Sequence, residues 1–91
     1  MTYAAMAALN ALPDGATYGT AYGRRFLATK TTYAEGKSLK LEARALDGSN
    51  YISLNAYHLT DNVRIFPCEM PLAKVLAFLA EFTPYHAQDH G

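Results

Sequence analysis

The chain predicts a two-layer α+β domain, a short N-terminal helix, a four-stranded antiparallel meander and a C-terminal helix packed on one sheet face. Three observations carry that expectation. Residues 39–46 and 51–59 alternate apolar and polar side chains with the period of two that a half-buried strand requires. Short turn-forming clusters separate consecutive β-rich runs, which suits antiparallel rather than crossover connections. Finally, Pro71 opens a segment whose apolar residues recur at helical spacing.

Taken in order, residues 1–12 form the N-terminal helix, with Thr2 as N-cap and alanine, the strongest helix former, in abundance. Met6 and Leu9 lie three apart on one face beside Ala5 and Leu12. A helix this short needs a docking surface to persist. Pro13-Asp14-Gly15 ends it, and the Thr-Tyr-Gly and Ala-Tyr-Gly triplets of residues 16–23 read as loop or irregular edge. The meander occupies 22–66. Its strands are Arg24 to Tyr33, Leu39 to Leu46, Tyr51 to Leu59 and Val63 to Phe66. Glu35-Gly36-Lys37, Asp47-Gly48-Ser49-Asn50 and Thr60-Asp61-Asn62 supply the turns, and Pro67 stops the last strand.

In the second of these strands Leu39, Leu41, Ala43 and Ala45 point one way, Lys40, Glu42 and Arg44 the other. The third directs Ile52, Leu54 and Ala56 inward and Tyr51, Ser53, Asn55 and Tyr57 outward. The first has no clear phase. Residues 71–82 form the second helix, with Leu72, Val75, Leu76, Leu79 and Phe82 as the stripe that covers the sheet. Phe78 falls outside that stripe, between Lys74 and Glu81, and Ala73, Ala77 and Ala80 make a flat strip. These four, Ala73, Ala77, Phe78 and Ala80, are the candidate interface of a homodimer. The strip is also a candidate seat for the N-terminal helix. Residues 83–91 read as a frayed, mobile tail.

Composition excludes several function classes. Ninety-one residues make one domain. A hydrophobic share of 51% with only 18% charged residues is too apolar for a disordered chain. Eight cations against eight acids exclude a uniformly basic nucleic-acid coat and an acidic mimic of DNA. No apolar run approaches the roughly 18 residues of a membrane span, so no membrane partner is expected. Residues 1–12 lack Lys and Arg and read as no secretory signal, and a single cysteine fits a reducing compartment, so a cytoplasmic location is expected.

Chemistry-bearing residues are few. Cys68 stands at the strand-to-helix junction, where a helix N-terminus could activate a thiol, but without a Cys/His motif it reads as a small hydrophobe. His86 and His90 are four apart, and zinc would need more ligands from Cys68, His58, Asp89 or another carboxylate. A solvated tail is the simpler account, and His58 reads as a histidine at the core edge. Phosphate-binding glycine loops, serine elbows, HExxH and paired-cysteine zinc spacings are all missing. The expectation is therefore a chain without cofactor or metal and without enzymatic activity.

Charge and tyrosine placement carry more. Arg24, Arg25, Lys30, Lys37, Lys40 and Arg44 stand against only Glu35 and Glu42, a surplus of four positive charges in one hairpin balanced by the remainder. Seven tyrosines are present, and Tyr51 and Tyr57 share the non-core face of their strand. Tyrosine beside small polar residues suits a binding surface, and beside cations it also suits base stacking. The candidate binding residues are the six cations with Tyr51 and Tyr57.

Four consecutive strands followed by a helix over residues 22–82 resemble, in element order, the single-stranded-DNA-binding transcriptional coactivators and the Pur-alpha repeat. That resemblance implies nucleic-acid binding on the sheet face through Lys40, Arg44, Tyr51 and Tyr57. Small neutral chains without catalytic motifs are also common among phage and mobile-element proteins, anti-CRISPR inhibitors among them. The leading expectation is a non-enzymatic module that contacts another protein, adaptor- or inhibitor-like. The alternative is a single-stranded nucleic-acid binder using the same face.

Overall fold

A computed structural model describes residues 2–59 and 62–85. The elements run α1 (Thr2–Ala11), β1 (Gly15–Ala21), β2 (Arg24–Tyr33), β3 (Ser38–Ala45), β4 (Tyr51–His58), β5 (Val63–Pro67), α2 (Leu72–Glu81) and β6 (Thr83–Pro84). They form the expected α+β class, but the antiparallel sheet has six strands in the order β5-β4-β3-β2-β1-β6 rather than four. The four expected strands are β2 to β5. No described helix is long and apolar enough to cross a membrane.

Both additional strands come from segments read as irregular. Residues 16–23 contribute β1, which pairs with β2 over its whole length from Gly15↔Lys30 to Ala21↔Arg24. The turn between them is two residues, Tyr22 and Gly23, both left-handed at φ 57° and 72°. Two successive positive φ values are the type I′ geometry whose twist matches that of the strands. Glycines made β1 look like loop, yet Thr17, Tyr18 and Thr20 are good strand formers. Gly19 is structural: a Cβ there would lie 2.5 Å from the Phe82 ring and 2.5 Å from the Thr83 carbonyl oxygen. This bare position lets β6 close onto β1, with Gly19↔Pro84 and Thr20↔Thr83 paired. Residues 83–85 therefore form an ordered edge instead of the start of a frayed tail.

The core lies between the sheet and the helices. Phe26, Ala28, Leu39, Leu41, Ala43, Ala45, Ile52, Leu54 and Ala56 are buried from the strands, with Ala5, Met6 and Leu9 from α1 and Leu12 just beyond its end. Alanines at 28, 43, 45 and 56 leave room on the sheet for the larger side chains of the helices. The side chain of Thr2, the expected N-cap, lies outside the described part of the structure.

The covering face of α2 is rotated from the expected stripe. Val75, Phe78 and Leu79 are buried, Leu76 and Phe82 are half-buried, and Leu72 is 44% exposed. Phe78 is thus a core residue, which corrects its assignment to a homodimer surface. Its ring sits 5.1 Å from Phe26 and stacks on Phe82 at 5.2 Å. Positions 75, 78, 79 and 82 follow the i, i+3, i+4, i+7 pattern as well as the expected stripe does. An aromatic ring has more surface to bury than Leu72, and Phe26 offers it an aromatic partner. Ala73, Ala77 and Ala80 are exposed, so α1 does not use them as a seat. It meets α2 instead near Leu79 and Phe82, which line a small apolar crevice with Ala8, Ala11, Leu12 and Pro84.

Candidate functional site: an open aromatic and cationic sheet face

The two helices lie on one side of the sheet, and strand alternation delivers the other side chains to an uncovered face. The core phase of β2 is fixed by buried Phe26 and Ala28, so Arg25, Leu27, Thr29, Thr31 and Tyr33 face outward. On β3 the outward set is Ser38, Lys40, Glu42 and Arg44, and on β4 it is Tyr51, Ser53, Asn55 and Tyr57, of which Ser53 is buried among its neighbours at 4% exposure. β5 adds Arg64 and Phe66, and β1 adds Tyr18 and Thr20.

Register assembles these into rows. Tyr18 pairs with Leu27, Leu27 with Arg44, and Arg44 with Tyr51. The Tyr85 N–H donates to the Tyr18 carbonyl, which adds a further tyrosine at the end of the same row. This band crosses five strands, about 19 Å at the usual interstrand spacing. A second row pairs Tyr33 with Ser38, Ser38 with Tyr57, and Tyr57 with Arg64. Tyr57 meets Phe66 edge-on with ring centroids 5.6 Å apart. Tyr18, Tyr33, Tyr51, Tyr57, Phe66 and Tyr85 are between 38% and 51% exposed, so the aromatic surface faces solvent.

Two arginines lean over rings of this face: Arg44 is 5.5 Å from the Tyr51 ring centroid and Arg64 is 5.8 Å from that of Phe66. Glu42 is the one acid among them. It accepts a hydrogen bond from the Tyr51 hydroxyl at 3.1 Å and stands 3.9 Å from Lys40 Nζ.

The eight residues expected to bind are not all brought together. Arg25, Lys40, Arg44, Tyr51 and Tyr57 share the open face, while Lys37 is exposed in the β2–β3 turn. Arg24 is drawn into the β3–β4 turn, where it pairs with Asp47. Hydrogen bonds from Ser49, then the Arg24 guanidinium, hold the Asp47 carboxyl below the ordinary carboxylate range. Lys30 belongs to the helix-covered side. Its Nζ donates to the Leu9 and Leu12 carbonyls at 2.9 and 2.8 Å, satisfying the C-terminal end of α1.

Lys30→Met keeps the aliphatic stem and removes this cap. It should cost about 2 kcal/mol, the range for hydrogen bonds to a charged group, and lower the melting temperature by roughly 8–16 °C. Thermal unfolding followed by circular dichroism measures it. A shift below about 2 °C would mean that the ammonium is solvated instead.

Sequence reasoning missed Tyr18, Tyr33, Arg64, Phe66 and Tyr85 as members of this face. The alternation of Val63 to Phe66 could have located Arg64 and Phe66, whereas Tyr18 and Tyr85 depended on the unrecognised strands. Cys68 is half-buried at the end of β5, where its Sγ accepts from Asn55 Nδ2 at 3.4 Å. His58 is exposed at the end of β4. His86, Asp89 and His90 lie outside the described residues, and among those described no three His, Cys, Asp or Glu residues cluster as a metal would need. Comparison with known protein families, characterised proteins and solved structures gave no match.

Proposed function

We propose that this chain is a non-enzymatic binding module that recognises another protein through the open face of its sheet, as an adaptor or small inhibitor does. The observation that carries this reading is the concentration of solvent-exposed aromatic side chains on the one sheet face that the helices leave uncovered. Tyrosine anchors offer large contact areas for the loss of few rotamers, and the half-buried Asn55 between Tyr51 and Tyr57 on the same strand face supplies a small polar neighbour. The arginine-over-ring pairs support a second reading, single-stranded nucleic acid, because bases stack on aromatic faces flanked by cations.

Affinity capture from the cells of origin, with and without nuclease, separates the two readings. A partner protein should remain after nuclease treatment. Tyr51→Ala combined with Tyr57→Ala should weaken its binding at least 30-fold, the effect of losing a typical 2 kcal/mol anchor. Ala77→Lys, on the exposed side of α2, should leave binding unchanged. Capture that disappears with nuclease would favour nucleic acid. Capture lost only through Ala77→Lys would move the interface to the helices.

A further inference from the structure

The open face carries a sign as well as aromatic surface. Arg25, Lys40, Arg44 and Arg64 point outward against Glu42 alone, a surplus of three positive charges on that face in a chain whose total is zero. Glu42 is already engaged by Lys40 and the Tyr51 hydroxyl. Among the described residues, neither Arg44 nor Arg64 forms an ion pair; each lies over an aromatic ring. A guanidinium resting on a ring keeps its N–H edge for a carboxylate, which it can meet in bidentate fashion.

Building on the open-face reading, we propose that the partner presents an acidic, extended polypeptide segment with interspersed apolar side chains, held by Arg44, Lys40 and Arg64. Pairing of Arg64 with Tyr57 and of Tyr57 with Ser38 sets Arg64 six positions along β3 from Arg44 and two strands across. That separation is roughly 20 Å along the strands and 10 Å across them, with Lys40 on the way. About seven extended residues span it. Acidic side chains along such a segment meet the three cations, and its apolar side chains meet Tyr51, Tyr57 and Phe66. Nucleic acid fits less well, because four outward cations fall short of the roughly six to ten phosphate contacts typical of strong backbone binding. The rest of the chain also carries the compensating negative surplus.

Fluorescently labelled probes test this in solution: a random copolymer of glutamate and tyrosine, polyglutamate, and a twenty-nucleotide oligo-dT. At low salt the copolymer should bind at least tenfold more tightly than either of the others. Arg44→Glu with Arg64→Glu should weaken it more than tenfold, with circular dichroism reporting an intact fold, and Lys74→Glu on α2 should not. Tighter binding to oligo-dT, no binding to the copolymer, or insensitivity to the two arginine reversals would each overturn the acidic-segment proposal. The open-face reading would survive any of these if capture of a partner protein still depended on Tyr51 and Tyr57. It would fail independently if capture did not.

Discussion

Phe78→Ala should destabilise the fold by about 3–5 kcal/mol, the usual cost of emptying a buried phenylalanine site. The ring is fully buried and touches an aromatic partner on either side, Phe26 from the sheet and Phe82 from the end of its own helix. A chain of this length has roughly 5–14 kcal/mol in total, so the loss is a large fraction of it. Urea unfolding should show the midpoint falling by about 2 M for a slope near 2 kcal/mol/M. Were Phe78 an exposed contact on a dimer surface, its truncation would leave monomer stability within about 0.5 kcal/mol. Ala77→Ser, one residue away but exposed, should stay within that range and serves as the control.

Gly19→Ala should cost about 1–3 kcal/mol through overpacking alone, although it adds one methyl group to a strand. The new Cβ would enter the space held by the Phe82 ring and the Thr83 carbonyl, at 2.5 Å from each. The ring cannot swing away without giving up its stack on Phe78, and the carbonyl is backbone in β6. Relief therefore requires β6 to detach, and proteolysis around residues 82–85 should accelerate along with the loss of stability. Adding Phe82→Leu should recover only part of the loss, because the carbonyl remains. A double-mutant cycle with a coupling energy near zero would contradict this account of the site.

How the sequence exposes its fold depends on where the pattern is local. The alternation in β3 and β4 is set by burial of one face, so the inward and outward sets are readable residue by residue. The phase of β2 is not, because Arg24, Arg25 and Lys30 put cations on both phases, and two of them, Arg24 and Lys30, serve structurally. Arg24 closes the β3–β4 turn with Asp47, and Lys30 caps α1 from across the core. Neither role has a signature within its own strand. β1 and β6 escape for a related reason. Gly19 lowers strand propensity locally, and its value appears only when Phe82 and Thr83 arrive from the far end of the chain. The displaced stripe of α2 shows the same limit: periodicity allows two overlapping faces, and the contact with Phe26 selects one. Tyr51 and Tyr57 were readable as outward residues, and Phe66 was within reach of the same alternation, but their union with Tyr18 and Tyr85 required the six-strand register.

The most direct measurement of the open-face account is hydroxyl-radical footprinting of the chain alone and in complex with the captured partner protein. Oxidation at Tyr18, Tyr51, Tyr57, Phe66 and Tyr85 should fall in the complex, while Leu72, equally exposed on the opposite side, should be unchanged. Protection of Leu72 with the tyrosines still oxidised at their free rates would contradict it and assign recognition to the helices.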